Sequence, residues 1–103
     1  MRFIVVFITA SSKKEAQAIV SALVKKKLAA CGNIIGSVDS MFIWKGKTEK
    51  AKEALIILKA RAGLFKRIVR EVERLHSYDV PEIIAVPIIA GSKKYLEWLD
   101  VNV

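Results

Sequence analysis

The stretch "MFIWKGKTEKAKEALIILK", Met41–Lys59, decides the fold. Met41 and Ile43 alternate with Phe42 and Trp44, the period of two that an extended chain imposes on its side chains. Lys45-Gly46-Lys47 carries a hairpin signal, and Lys52–Lys59 reads as the return strand. Upstream, Leu28–Ile35 reads as a strand that breaks at Gly36-Ser37 and resumes from Val38 to Trp44. Two long arms result, from about Leu28 to Lys45 and from Lys47 to Lys59. Their tips carry more charge than core strands do, so the hairpin is expected to project beyond the main sheet.

On either side of this hairpin stands a strand–helix alternation. Phe3–Ile8 is a continuous apolar, β-branched run, as a buried central strand should be. Ser12-Lys13-Lys14-Glu15 has capping-box spacing, with Ser12 as N-cap and Glu15 reaching back. Ala16, Ile19, Val20 and Leu23 follow at helical spacing, and Lys25, Lys26 and Lys27 suit the negative end of that helix. After Gly63, the residues Leu64, Phe65, Ile68, Val69, Val72 and Leu75 predict a second amphipathic helix. Glu82–Ile88 reads as the last strand, and Gly91-Ser92 opens a short helix whose Tyr95, Trp98 and Leu99 share a face.

The order β-α-β-β-α-β plus a C-terminal helix predicts an α+β, ferredoxin-like fold, with an antiparallel sheet and both long helices on one face. The other face and the edges stay uncovered, so several subunits are expected to pack sheet to sheet. With 103 residues the chain reads as one domain, 1–103. A hydrophobic content of 53% excludes a disordered chain, and no apolar run approaches the roughly 20 residues of a membrane span. The single cysteine cannot form an internal disulfide, which suits a cytoplasmic location. Few amides beside many Lys and Glu match a heat-adapted, thermostable composition. The net charge of +8 raises the prior for an anionic partner, but the basic residues are scattered, as on a solvated surface. No RNP1 pattern supports sequence-specific RNA binding.

Candidate chemistry is sparse. No phosphate loop, GxSxG or paired-ligand spacing occurs, so no set of residues supplies a nucleophile, a base and an oxyanion stabiliser, and the chain does not read as an enzyme. Cys31 lies in "LAACGNI" among small residues, as a buried structural cysteine or as a reactive or ligating thiol. His76, the only histidine, directly follows the second helix, either capping it or serving a site. In "LHSYDVPEI" (Leu75–Ile83), Asp79 and Glu82 flank Val80-Pro81 beside Tyr78. Glu82 at a strand start is expected to face a cleft or an interface, and either a bound cation or an intersubunit ion pair accounts for it. Trp44, near the hairpin tip, suits packing on a neighbouring subunit.

"LAACGNI", "WKGK" before a long return strand, "LHSYDVPEI" and "YLEWL" together resemble the CutA (CutA1) family of divalent-cation tolerance proteins, over nearly the whole chain. The resemblance implies a homotrimer, similar in architecture to the PII signalling proteins, whose hairpins reach across to neighbours. It also implies a divalent metal of the copper type, or a small ligand, in clefts between subunits. His76, Glu82 and Cys31 would be the metal residues, with Tyr78, Asp79, Lys59 and Trp44 as cleft neighbours. A PII-like trimeric scaffold that meets a partner protein is the alternative. Some bacterial members carry a cysteine and a second histidine where this chain has Ile8 and Leu75. The stretch after the hairpin tip, usually acidic, is basic here ("KTEKAK").

Overall fold

The computed structural model describes residues 2–103. Its elements are β1 (Phe3–Ala10), α1 (Lys13–Lys25), β2 (Cys31–Trp44), β3 (Lys47–Arg61), α2 (Phe65–Leu75), β4 (Ile83–Pro87) and α3 (Lys93–Val101); a short 3-10 turn, Ala62–Leu64, leads into α2. All pairings in the four-stranded sheet are antiparallel and its order is β2-β3-β1-β4. This is the expected ferredoxin-like α+β arrangement, with β1 and β3 in the middle.

Alternation divides the sheet into two unlike faces. Ile4, Val6 and Ile8 of β1 and Ile56 and Leu58 of β3 are buried with Ile19 and Leu23 of α1 and Ile68 and Val72 of α2. That is the core. On the opposite face the register aligns Phe7 with Ile57 and Ile84, and Val5 with Val86. Ile35, Ile84 and Val86 there are exposed. α3 anchors at one end of the sheet, where Asp100 accepts from Arg2 at 2.7 Å and from Arg61 at 2.8 Å.

Both ends of α1 are closed by local chemistry. Ser12 accepts from the Glu15 N–H at 3.1 Å, as the spacing predicts. The returning carboxylate, however, takes the N–H and hydroxyl of Ser11 rather than the N–H of Ser12. At the other end Leu28 N–H reaches the Leu23 carbonyl and Lys27 N–H the Val24 carbonyl, a Schellman closure. It places Lys27 at φ 58° and buries Leu28 against the core. Leu28 and Ala29 therefore belong to the helix exit, and β2 starts at Cys31 instead of Leu28.

The hairpin arm starts at Lys47 as expected and is regular throughout. The paired strand β3 reaches back to Lys47, five residues before the return strand read from Lys52, because every residue from Thr48 to Glu53 pairs with β2. Lys45 and Gly46 both have positive φ, the two-residue turn whose twist matches flanking strands. The break at Gly36-Ser37 is a bulge: pairing passes from Ile35–Leu55 to Val38–Glu53, so two residues of β2 oppose one of β3. The hairpin gives the molecule its long axis, 44 Å against 25 and 23 Å.

Candidate functional site: an acid-lined cleft beside the hairpin

Between the hairpin and the α2–β4 connection lies a cleft of about 700 Å³. Trp44, Tyr78, Asp79 and Glu82, all singled out from the sequence, line it together with Phe42. So do three acids that sequence reasoning passed over, Asp39, Glu49 and Glu53. The cleft thus gathers five of the chain's ten acids and only Lys50 among its 18 basic residues. The signal for two of them was period two. In "KTEKAKE" Glu49, Ala51 and Glu53 fall on one side of the strand and Lys50 and Lys52 on the other. The stretch is basic by count, but its acids share a face with Phe42 and Trp44, whose partners in the ladder are Glu49 and Lys47. Asp39, at the rim, is bridged to Lys52 at 2.9 Å.

Glu53 is the deepest of these acids, only 7% exposed. The Tyr78 hydroxyl donates to it at 2.8 Å. Burial pushes the Tyr78 phenol up to about 12, and the Glu53 carboxylate beside it adds to that rise. The Tyr78 ring also packs against the His76 ring, their centroids 4.7 Å apart.

His76 stands behind the cleft wall and does not line it. Its side chain is fully buried. Nε2 lies 2.7 Å from the Thr9 carbonyl, and Nδ1 lies 3.1 Å from the Tyr78 N–H. Its own backbone N–H closes α2 on the Val72 carbonyl. Glu15, 3.8 Å from Nδ1, turns one oxygen to Ser11 and the other to the Ser77 N–H. Burial alone would raise the Glu15 pKa, but the bonds from Ser11 and Ser77 outweigh it and hold the group below its ordinary value.

Cys31 and Lys59 lie elsewhere. They are partners in the β2–β3 ladder, on the row of Val5, whereas His76 meets β1 at Thr9. Four residues of strand separate the rows, about 14 Å at ~3.4 Å each. The Lys59 ammonium donates to the Asn33 side chain, and the unpaired Cys31 lies near Asn33 and Tyr95. The proposed set of His76, Glu82 and Cys31 is therefore not assembled within one subunit. Among the described residues no three His, Cys, Asp or Glu side chains converge closely enough to hold a metal ion. The imidazole of His76 and the thiol of Cys31 are outside the cleft; Met41 is the one sulfur-bearing residue along it, and the anionic ligands inside it are all oxygen.

The family model described as "CutA1 divalent ion tolerance protein" matches residues 4–102. The chain belongs to this CutA1 family. It is 41% identical over 98 residues to the divalent-cation tolerance protein CutA of Thermus thermophilus, covering 95% of each chain. The Archaeoglobus fulgidus protein of the same name is 45% identical, again over 95% of each. The chloroplastic CutA of Arabidopsis thaliana is 43% identical over 93% of this chain, which spans about half (53%) of that relative's length. Among solved structures, the Thermus thermophilus CutA1 superposes with a TM-score of 0.95 at 40% identity, covering 97% of each chain. The Archaeoglobus fulgidus structure, titled a periplasmic divalent cation tolerance protein, gives 0.94 at 43% identity over 97% of each. These CutA1 relatives carry names from different compartments. In this chain no helix is long and apolar enough to cross a membrane.

Proposed function

We propose that this CutA1 chain acts as a homotrimer that gathers hydrated divalent cations in its acid-lined clefts, through binding and not through catalysis. The observation that carries the reading is the concentration of carboxylates beside the hairpin of a chain whose net charge is +8. Spread carboxylates suit a hard cation that keeps most of its water and touches one or two oxygens. They suit copper less well, because copper prefers the imidazole and thiolate that this chain holds elsewhere. Trimerisation is supported by the apolar sheet face on which half-buried Phe7 and Ile57 adjoin exposed Ile84 and Val86, a surface suited to packing against another subunit. The lone imidazole, engaged at both nitrogens, is not free to act as a general base, which supports binding over chemistry.

Titration with Mn²⁺ at low ionic strength tests the cation reading, and sedimentation equilibrium tests the trimer. Weak saturable binding that disappears in the Asp79→Asn, Glu82→Gln double variant is expected. A parent protein that leaves the Mn²⁺ relaxation signal unchanged refutes it, and a monomer at micromolar concentration refutes the trimer. The alternative is a PII-like scaffold that meets a partner protein through the hairpin. The exposure of Met41 and Ile43 near its tip favours this second reading. Partner capture that survives replacement of Met41 and Ile43 by serine would count against it.

A further inference from the structure

We infer that His76 is a positioning residue, not a metal ligand: its neutral ring fixes the segment that carries Tyr78, Asp79 and Glu82 into the acid cleft. This inference rests on the cleft reading above for its functional meaning, but its chemistry stands on separate geometry. The Thr9 carbonyl can only accept, so the nitrogen 2.7 Å away, Nε2, bears the ring proton. The Tyr78 N–H can only donate, so Nδ1, 3.1 Å away, offers it a lone pair. A neutral ring has one donor and one acceptor, and both are used. A metal at Nδ1 would have to displace the Tyr78 N–H. One at Nε2 would have to remove the proton held by Thr9. Either would also have to enter a fully buried side-chain environment.

Three consecutive residues are tied to three different elements. The His76 ring is tied to β1 through Thr9, and the Ser77 N–H to α1 through Glu15. The Tyr78 hydroxyl is tied to β3 through Glu53. Asp79 and Glu82 follow directly, so the positions of the loop acids relative to Glu49 and Glu53 depend on this tripod. Preorganisation of this kind spares a ligand the cost of ordering the loop.

The test uses the full chain labelled with ¹⁵N-histidine, whose lone ring gives one pair of nitrogen signals. The expected result is the Nε2–H tautomer, with both shifts unchanged on addition of Zn²⁺. The Nδ1–H tautomer, or a Zn²⁺-dependent shift of either ring nitrogen, overturns the inference. Two substitutions then separate the ring's contacts. His76→Asn keeps an acceptor for the Tyr78 N–H at the position of Nδ1, whereas His76→Gln keeps a donor for Thr9 at the position of Nε2. With Mn²⁺ as probe, each variant should bind about fivefold more weakly, the worth of one hydrogen bond, because each breaks one of the two links by which the ring joins Thr9 to the Tyr78 N–H. Parent-like Mn²⁺ binding in either variant, each folded by circular dichroism, overturns positioning by the ring. If the parent binds no Mn²⁺, the cleft reading fails, and the ring's tautomer and Zn²⁺ response still decide the role of His76.

Discussion

Replacing Tyr78 by phenylalanine removes one oxygen and nothing else. Its hydroxyl donates at 2.8 Å to Glu53, a carboxylate only 7% exposed and one that shares its strand with Glu49. Cleft water can replace the lost donor only in part at so enclosed a position. A hydrogen bond to a charged group contributes about 1.5–3 kcal/mol, and the partner left behind bears its own desolvation. Tyr78→Phe should therefore destabilise the fold by about 2 kcal/mol, or roughly 10 °C in midpoint for a chain of this length. Thermal unfolding followed by circular dichroism measures this, at one fixed protein concentration because subunit association shifts the midpoint. Adding Glu53→Gln should recover part of the loss, since a neutral amide tolerates the apolar ring better than a carboxylate does. A Tyr78→Phe midpoint within 2 °C of the parent would refute the assignment of Tyr78–Glu53 as a structural pair.

Other outcomes follow from single positions. Lys27 occupies the left-handed region at φ 58°, where an L side chain costs about 1 kcal/mol, so Lys27→Gly should raise the midpoint by several degrees in the same assay. A Cβ at Gly32 would lie 2.6 Å from a Val20 methyl and 3.0 Å from a Leu58 methyl. Gly32→Ala should accordingly cost about 1–3 kcal/mol in denaturant unfolding, as overpacking does. The Glu15 carboxyl is held below its ordinary value of 4.5, so its contribution is full above that pH and is lost as pH falls through the lower folded value. Stability profiles of the parent and of Glu15→Gln should converge on acidification, and parallel profiles would contradict the network at Ser11 and Ser77.

The strand and helix order was legible because it is written in local periodicity. Phe3–Ile8, the spacing from Ala16 to Leu23, and the Lys45-Gly46 turn each act within a few residues. The misplacements have local physical causes too. Leu28 looked like a strand start because it is apolar, but it is buried by a Schellman closure that needs a residue at positive φ, and Lys27 gives no compositional hint of that. The site was less legible. Glu49 and Glu53 were hidden in a stretch judged by net charge, although alternation separates them from their lysines. The direction of the His76 ring is set by Thr9, 67 residues away in sequence. The separation of Cys31 from His76 follows from which row of the sheet each one meets. Neither relation leaves a mark in the spacing of neighbouring residues.

The bulge at Gly36-Ser37 works as a phase shifter for the outer half of the hairpin. Before it, odd-numbered residues of β2 share the face of Leu55; after it, even-numbered residues do, since Val38 pairs with Glu53. Phe42 and Trp44 share the register face of Glu49 and Glu53, with Met41 and Ile43 at the alternate positions, because this strand carries one surplus residue at that point. Deleting one of the two, with no side chain in the cleft altered, would rotate the outer arm by half a period and move Phe42 and Trp44 off the face of Glu49 and Glu53. The composition of the cleft wall is thus set by the length of the chain at a place that does not itself line the cleft.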